Sequence, residues 1–465
     1  MAGEVVQFVD QIVASPTVRL DLTNAPWSVL ANGTDVSPPS ISRAIVDTLL
    51  LDGAQIPSSA YGNRIITLHL QLDPTLITDI GTAATQAQLL NRELDRPTNI
   101  LKWQPHPTLP AMFFRTFRSP DYALISDVGV NLHDFTVQVQ AEPFALGINE
   151  ALSAITINND PAAGSNGKFV DITGIKGDVE TPLKIGILGG SVTGRQSVFA
   201  MRRRGTPSSM PLFLQAEAMS MGTDTSVTAN SANYSGAGSN NATCTFSTTT
   251  TSANRLLIGT FPTSPSADVR GTYRVFVRCF SSTAGATFTL TMFHGASIIP
   301  NTTANYTQNG STIGMVDLGL VQLPQGYDPV MDGPSNTPVV VNGISFWLQA
   351  SRTSGSGNLV FDYLLFVPAD DKLAIVSWGS SNPTIFVLEG TGRAVFGIDA
   401  SARISDIVSS NFVGDVPYVS PGITNRLVYV NDVSPTMGST DSVSGSVGLS
   451  GSYWPRYLDI RPIST

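Results

Sequence analysis

The stretch NRIITLHLQL, residues 63–72, alternates between apolar and polar side chains with a period of two. One face of the alternation carries Ile66, Leu68, Leu70 and Leu72. Because successive side chains of a β-strand point to opposite faces of its sheet, this pattern predicts a strand that buries one face. The chain is therefore expected to contain a β-sheet with an apolar interior.

Residues 1–148 are predicted to form one unit around this strand. Directly after it, apolar residues recur at helical spacing through 83–94, and Pro97 stands just beyond the end of the pattern. A second alternating stretch, FTVQVQ at 135–140, predicts another half-buried strand. We therefore predict a mainly β domain over residues 1–148, with a sheet crossed by one helix.

The rest of the chain has β-strand patterns of two textures. Residues 149–206 and 369–465 contain short strands bounded by glycine or proline, whereas 207–368 is rich in Ser, Thr, Asn and Gly. Within 207–368, strands such as TYRVFVRCF and NLVFDYLLFVPA recur at fairly even spacing, which is typical of an antiparallel sandwich or jelly roll. We predict one β-sandwich built from 149–206 and 369–465, interrupted by an inserted jelly-roll module. Two sandwiches in tandem with a tail remain the alternative.

The charge balance argues against nucleic-acid binding. Lys and Arg number 26 against 35 Asp and Glu, for a formal net charge of -9, whereas a nucleic-acid binder normally carries a basic face. Charged residues make up 13% of the chain, about half of the globular average of roughly 25%. No apolar run reaches the roughly 18 residues of a membrane helix, and the N-terminal MAGEVVQFVD lacks the basic start of a secretory signal. We expect neither membrane insertion nor a signal peptide.

The histidines and cysteines predict no cofactor and no metal site. The four histidines form none of the zinc-binding spacings, and Cys244 and Cys279 are too few for a disulfide framework. Two reduced thiols are the preferred interpretation, while one bridge between neighbouring strands stays open. The histidines are His69, His106, His133 and His294.

Carboxylates are the remaining source of chemistry. Glu217, Asp224 and Asp362 are the carboxylates considered for glycoside hydrolysis, which needs two of them, and Asp224 is also considered for a calcium site, with a solvated turn as the preferred interpretation. The sequence does not place these residues in one cleft. We therefore predict no catalytic residues and no enzymatic activity, and keep a glycan-degrading enzyme as the weakest hypothesis.

Arg202, Arg203 and Arg204 form the densest positive charge of this acidic chain. On a strand their side chains would alternate in direction, so they cannot form one flat phosphate-binding face. The predicted role is ion pairing with carboxylates, either across the domain seam or on a neighbouring copy.

Aromatic residues of the Ser/Thr-rich module are candidates for a glycan platform. Aromatic rings present an apolar face beside polar groups, which suits a sugar ring and its hydroxyls. We single out Tyr234, Tyr306 and Trp347. Trp347 shares a predicted strand face with Ser345 and Gln349, which fits either a platform or the second side of a core strand.

Five segments occur in an order that is informative: GNRIITLHLQL, LNRELDRPTNILKWQP, FTVQVQAEPFALG, KFVDITGIKGDVETPLKIGIL and PYVSPGITNRLVYV. Pro143-Phe144 stands where one domain ends, and Pro421-Gly422 with Asn425 forms a turn near the end of the sandwich. In these features the chain outside 207–368 resembles the distal tail proteins of siphophages. The terminal YWPRYLDIRPI matches no motif of that family.

The resemblance implies an N-terminal domain that forms a ring at the tail tip and a galectin-like sandwich that projects outward. It implies a ring of six copies in the virion, contacts with the tail tube and the tail-tip or baseplate proteins, and a carbohydrate-binding insertion. For the ring interface we single out strand 64–72, helix 83–94 and stretch 108–118. The interface residues named on this basis are Arg64, His69, Arg92, Arg115 and Arg118.

A carbohydrate-binding adhesin, or receptor-binding tail protein, is the main alternative. In that case the inserted module would carry the function and the rest would be scaffold. A capsid jelly-roll protein is a weaker structural alternative, because the N-terminal unit contains a helix and two textures of sandwich follow.

Overall fold

A computed structural model gives the fold of the chain. The residues that the structure describes are 4–47, 54–73, 75–77, 79–119, 134–158, 169–188, 196–202, 212–221, 225–228, 241–246, 254–260, 271–281, 286–294, 297–298, 304–307, 314–323, 344–352, 357–369, 372–377, 385–389, 394–398, 404–405, 412–431 and 446–458. They form β-strands almost throughout, with a single α-helix in the described part of the chain. The prediction of a mainly β protein is confirmed.

The first part of the chain contains the predicted strand and the predicted helix. Its elements are β1 (Val5–Val9), β2 (Val18–Asp21), β3 (Trp27–Val36), β4 (Ile41–Asp47), β5 (Ala54–Tyr61), β6 (Arg64–Leu72), α1 (Ile80–Leu94), β7 (Thr98–Gln104), β8 (Met112–Phe117), β9 (Asp134–Ala141) and β10 (Ala145–Leu146).

The remaining elements are strands and one 3-10 turn. Before the Ser/Thr-rich region lie β11 (Glu150–Ala151), β12 (Ile155–Asn158), β13 (Phe169–Ile172), β14 (Thr181–Pro182), β15 (Lys184–Leu188) and β16 (Gln196–Arg202). Within it lie β17 (Leu212–Gln215), the 3-10 turn (Ala216–Ala218), β18 (Ser220–Met221), β19 (Thr225–Thr228), β20 (Asn241–Phe246), β21 (Asn254–Thr260), β22 (Gly271–Ser281), β23 (Ala286–His294), β24 (Ser297–Ile298), β25 (Ala304–Thr307), β26 (Gly314–Leu323), β27 (Ile344–Arg352) and β28 (Gly357–Pro368). After it lie β29 (Lys372–Ser377), β30 (Ile385–Glu389), β31 (Ala394–Ile398), β32 (Ile404–Ser405), β33 (Phe412–Gly414), β34 (Tyr418–Val419), β35 (Asn425–Asn431), β36 (Ser446–Tyr453) and β37 (Arg456–Tyr457).

The chain divides into two compact units that do not follow the sequence in simple order. Unit 1 comprises Met1–Glu150, Lys176–Thr181 and Tyr453–Thr465, and unit 2 comprises Ala151–Ile175 and Pro182–Ser452. This differs from the predicted boundary, which assigned all of 369–465 to the sandwich.

Unit 1 is a sheet packed on one helix. The strand order is β2-β1-β7-β8-β9-β6-β3, and burial alternates along β6 and β9 as the period-two patterns predict. The apolar stripe of α1 faces the core that these strands share. Asp79 directly precedes the helix as its N-cap, and its carboxylate accepts a hydrogen bond from the Thr82 amide. The buried apolar residues of the helix are Ala83, Ala87, Leu90 and Leu94.

The segment Tyr453–Leu458, here called the C-terminal strap, pairs and hydrogen-bonds with other parts of unit 1. Strand β37 pairs antiparallel with β10, and the Gly147 amide donates to the Pro455 carbonyl at 2.8 Å. The Thr181 hydroxyl donates to the Trp454 carbonyl at 2.7 Å. Gly177, at φ +109°, lets the backbone pass so close that a Cβ there would lie 2.7 Å from the Arg456 carbonyl oxygen. The strap therefore belongs to the folded body of unit 1, although it is distant in sequence.

Unit 2 contains four main sheets. Two of them combine strands from before Arg202 with strands from after Lys372: β36-β15-β30-β31-β32 with β12 beside β36, and β13-β35-β16-β29-β33. The other two use only strands between Leu212 and Pro368: β19-β20-β28-β22-β26 with β17 beside β28, and β18-β21-β27-β23-β24 with β25 beside β23. This pairing favours an inserted module over two sandwiches in tandem.

Residues 362–368 of β28 are buried on both faces of the strand and contact both the module strands and the sandwich strands. On one face Phe366 packs against the Phe346 ring, with centroids 5.9 Å apart, inside the module. On the other face Leu365 and Val367 share a core cluster with Ile375 of β29 and Val428 of β35. A fragment limited to 207–368 would expose that second apolar face, so binding by the module is best tested in the full chain.

The strand register keeps the two cysteines apart. Cys244 lies opposite Leu359 on one side of β28, and Cys279 lies opposite Phe361 on the other side. Two strand spacings of about 4.8 Å separate their backbones, which exceeds the Cα separation of roughly 7 Å that a disulfide tolerates. The fold therefore excludes an intrachain disulfide.

We expect both cysteines to react with a thiol reagent when the chain is denatured without reductant. Intact mass spectrometry should show two adducts, the same number as in a fully reduced control. A chain that acquires adducts only after reduction would contradict the strand register.

Candidate functional site

Arg64, predicted as an interface residue, is fully buried within unit 1. Its Nε donates to the Pro143 carbonyl at 3.1 Å, and its Nη2 donates to the Leu458 carbonyl at 2.9 Å. The guanidinium also lies over the Phe114 ring, 5.7 Å from the centroid. Because these contacts are all made inside the unit, Arg64 is withdrawn from the interface. It anchors the C-terminal strap instead.

His69 lies on the polar face of β6, where the predicted alternation places it. It is half-buried, and its Nδ1 is 3.3 Å from the hydroxyl of Thr136 on β9. This face carries uncharged polar residues along both strands, except for Asp134 at one end and the apolar Ile65 at the other. The other members of the face are Thr67, Gln71, Gln138 and Gln140.

Around the C-terminal end of α1, three arginines converge on one buried carboxylate. Glu93 is 1% exposed, and its Oε2 lies 2.8 Å from Arg96 Nε and 3.4 Å from Arg19 Nε. Its Oε1 lies 3.8 Å from Arg92 Nε. Asn99 of β7 donates to the same carboxylate at 3.0 Å. Glu93 thus orders several cations with a single negative charge.

A fourth arginine adjoins this group. Arg118, just after β8, donates from Nε to the Asp95 carbonyl at 2.9 Å and pairs with its carboxylate at 3.0 Å. Asp95 is the C-cap of α1. The side chains of Arg92 and Arg118 remain 62% and 57% exposed. We call Arg19, Arg92, Arg96 and Arg118 the arginine cluster.

The structure thus brings together two of the five predicted interface residues, Arg92 and Arg118. Arg115 is half-buried on β8, opposite Ile100. Sequence analysis missed Arg19, Arg96 and Glu93. The available signal was Glu93 itself: it falls three residues after Leu90, on the apolar stripe of the helix, where an ionised side chain needs a partner.

The N-terminal end of α1 carries acidic residues and exposed apolar side chains instead of arginines. Asp73 is half-buried and Asp79 is exposed, and hydrogen bonds from Thr75 and Thr82, respectively, hold the pKa of each carboxyl below its ordinary value. Two large apolar side chains, Leu76 and Ile80, are each 55% exposed beside them. We call Asp73, Leu76, Asp79 and Ile80 the acidic end of α1.

The predicted seam arginines are only partly within the described residues. Arg202 ends β16 directly opposite Arg426 in the register, while Arg203 and Arg204 lie outside the described residues. Arg426 makes a two-pronged pair with Asp171, at 2.8 and 2.9 Å, and stacks on Phe169 with 4.1 Å to the ring centroid. Ion pairing by the seam arginines stays a prediction.

The three predicted platform residues are not on one surface. Tyr234 lies outside the described residues. Tyr306 is opposite Phe288, whereas Trp347 is opposite Thr291. Phe288 and Thr291 are three residues apart on β23, so the register assigns the two aromatic residues to opposite faces of the sheet.

Trp347 shares its face with polar residues. Thr289 lies opposite Gln349 on β27 and opposite Asn305 on β25, and Arg255 faces Gln349 from β21. Trp347 and Gln349 are half-buried. Ile258 of β21 and the buried Thr291 of β23 are the residues directly opposite Trp347, so its nearest positions are partly apolar.

The carboxylates of Glu217 and Asp362 are close enough for their charges to interact, but Asp362 is inaccessible to solvent. Asp362 is fully buried and pairs with Arg278, so it cannot reach a substrate. Burial raises the pKa of the Glu217 carboxyl above its ordinary value, and the negative charge of Asp362 raises it further. The buried Oε2 of Glu217 accepts no hydrogen bond from described residues. Asp224 lies outside them.

Replacing Glu217 with glutamine is expected to raise the melting temperature of the chain at neutral pH. A carboxyl whose pKa is raised by folding destabilises the folded state when ionised, and this penalty disappears below about pH 4, where both states are protonated. Melting curves across this range check the prediction, with Glu142→Gln as control. An equal gain at all pH values would contradict it.

In the described part of the chain, no cluster of three or more His, Cys, Asp or Glu residues could hold a metal ion. None of its helices is long and apolar enough to cross a membrane.

No family model matches the chain, and no curated protein matches it significantly. Among solved structures it is similar to the Dit (gp 19.1) protein of phage SPP1, described as a paradigm of the hub adsorption apparatus in Gram-positive infecting phages. That alignment has 8% identity and a TM-score of 0.35, over 97% of this chain and 98% of the other. It is also similar to a chain of the phage P2 baseplate in its activated conformation with calcium, at 9% identity and a TM-score of 0.23, over 80% of this chain and 99% of the other. For the phage p2 baseplate with strontium the values are 9%, 0.20, 77% and 97%.

Proposed function

We propose that the chain is a structural virion protein of a long-tailed phage. Six copies form a ring at the distal end of the tail, and the ring links the tail tube to the tip or baseplate proteins. Unit 1 supplies the ring contacts, and unit 2 is available to partner proteins. The proposal takes its phage context from the sequence resemblance and its assembly role from the surface of unit 1. It assigns the chain no enzymatic activity.

The observation that carries the assembly role is the hairpin of β4 and β5. The two strands pair with each other and with no other described strand. At its base Ile41 lies opposite Tyr61; the two side chains are 49% and 39% exposed, and the Tyr61 ring also packs edge-on against Phe144, with centroids 5.2 Å apart. A lone two-stranded hairpin is marginally stable in water and gains stability by packing on another surface. A neighbouring copy would supply that surface.

The outer face of β6 and β9 supports the same role. A row of threonine, glutamine and histidine side chains carries little charge, and desolvating it costs less than desolvating charged residues. Ile65 adds a largely exposed apolar side chain at its end. Such a face can pack against identical subunits without bringing like charges together.

The test is a double variant, Ile41→Asp with Tyr61→Ser. If the hairpin packs on a neighbour, the variant should lose the assembled species and run as a monomer in light scattering, because a buried contact becomes charged and polar. Leu320→Ser, an equally exposed apolar residue of unit 2, is the matched control and should assemble normally. Unchanged assembly of the double variant would contradict the proposed role of the hairpin.

A carbohydrate-binding adhesin remains the second candidate, and the face around Trp347 favours it. Titration of the full chain against an array of host cell-surface glycans tests this function. Binding that is lost in Trp347→Ala but kept in Tyr306→Ala would place the site on the face of the sheet that carries Trp347. A monomeric or trimeric chain that binds glycans would put this candidate first.

A further inference from the structure

We propose that the arginine cluster of one copy binds the acidic end of α1 of a second copy. The contact is head to tail, between two different patches of unit 1. The inference rests on the proposed ring and goes further, because it names both partner surfaces.

The arginine cluster carries more positive charge than its own unit neutralises. Its four guanidiniums share two carboxylates, those of Glu93 and Asp95. The surplus is notable in a chain whose formal net charge is -9. Glu93 is buried and fixed by Asn99, so the cations around it are held in place before any partner arrives. Pre-ordered arginines lose less entropy on binding a carboxylate than free ones do.

The acidic end of α1 has the complementary properties. The hydrogen bonds from Thr75 and Thr82 keep the carboxylates of Asp73 and Asp79 ionised, and no described lysine or arginine pairs with either. Leu76 and Ile80 expose apolar surface between these charges. Apolar anchors beside charged groups are typical of a protein interface.

Local stabilisation of the helix does not account for the whole pattern. Acidic residues at the start of a helix and basic residues at its end do oppose the helix dipole. That effect requires neither the exposed Leu76 and Ile80 nor the approach of Arg19 from β2 and Arg118 from beyond β8. Leu76 and Ile80 at one end, and Arg19 and Arg118 at the other, give each end of the helix a surface that a partner could contact.

The positions of the two patches fit a contact that propagates. Helix α1 has 15 residues, so its ends are about 22 Å apart. Its C-terminal end lies by β2 and β7, through Arg19 and Asn99, whereas its N-terminal end follows β6, where Asp73 is tied to Pro26 before β3. Strands β2 and β3 are at opposite ends of the strand order. A contact between two different patches is heterologous, and repeated heterologous contacts close into a ring when the rotation allows.

Two full-length variants test the proposal. In the first, Arg92→Ser with Arg118→Ser removes the two exposed cations of the arginine cluster and leaves the acidic end intact. In the second, Asp79→Asn with Ile80→Arg replaces one negative charge and an apolar side chain, so that the acidic end has no net charge, and the asparagine preserves the N-cap. Lys176→Glu changes an exposed cation outside both patches and serves as the control. Circular dichroism and melting curves confirm that each variant is folded.

Each variant alone should be a monomer in light scattering, whereas an equimolar mixture should give dimers and nothing larger. In the mixture the intact acidic end of the first variant meets the intact cluster of the second, and the two altered patches no longer carry opposite net charges that could bind each other. The dimer should weaken with added salt, because exposed charges are screened. The control should assemble like the unaltered chain.

The outcomes separate this inference from the proposed function. If the unaltered chain forms rings and both variants still form them, the head-to-tail contact is wrong and the ring stands. If both variants are monomeric but their mixture gives no dimer, the two patches are not partners of each other. Capture of a different acidic tail protein by the cluster, with ring assembly unaffected, would also overturn the inference. An unaltered chain that never forms a ring contradicts both proposals.

Discussion

The Arg64→Leu variant is expected to lose about 3 kcal/mol or more of unfolding free energy, since each of its two charged hydrogen bonds contributes roughly 1.5–3 kcal/mol. The change leaves the carbonyls of Pro143 and Leu458 without their donor in a buried setting. Leu458 ends the C-terminal strap, so the loss falls on the strap's attachment to unit 1. We therefore expect a lower melting temperature and faster removal of the strap by carboxypeptidase.

Two further variants define the cause. Arg64→Lys keeps the charge but cannot bridge two carbonyls with a planar fork, so it should recover only part of the lost stability. Arg118→Leu removes an exposed arginine of the same unit and should cost no more than about 1 kcal/mol. If Arg64→Leu behaves like Arg118→Leu, the assigned role of Arg64 in holding the strap is wrong.

Replacing Glu93 with leucine is expected to destabilise unit 1 by about 3–5 kcal/mol, the usual cost of breaking a buried ion pair from one side. Glu93 is buried, and its removal takes away the carboxylate that pairs with Arg19 and one of the two acceptors of the Asn99 amide. Glu93→Gln keeps the shape and an acceptor but not the charge, and should lie between leucine and the native residue. Chemical denaturation of the full chain measures these differences.

A second substitution separates charge from packing. Adding Arg19→Leu to Glu93→Leu removes a stranded cation and should restore part of the stability, because replacing both partners costs less than removing one. Gln88→Ala, at an exposed position of the same helix, is the control and should be nearly neutral. A Glu93→Leu chain as stable as this control would contradict the role of Glu93 in ordering the arginine cluster.

Local patterns in unit 1 could be predicted well from the sequence. The alternation in 63–72 and the apolar spacing in 83–94 depend only on which face of an element is buried, and both elements are present as β6 and α1. The place of YWPRYL could not be predicted, because it depends on pairing with β10, which is about 300 residues away. Hydrophobic periodicity reports on local structure only, so it does not predict which distant strand a segment pairs with.

The candidate sites divide in the same way. Arg92 lies in the helix 83–94 that was singled out from the sequence, and it belongs to the arginine cluster, while its place in a ring interface stays a prediction. Arg64 was misplaced because its position before the alternating stretch resembles an exposed strand end, while its burial follows from contacts with Pro143 and Leu458. The separation of Tyr306 from Trp347 needed the register of β23, which composition alone cannot supply.

The most direct test of the proposed function is the mass of the purified full-length chain in solution, measured by light scattering together with negative-stain images. From the proposed ring we predict closed particles with six times the 49.2 kDa mass of one chain. A stable trimer, or a chain that stays monomeric at every concentration tested, would contradict the ring and put the carbohydrate-binding adhesin first.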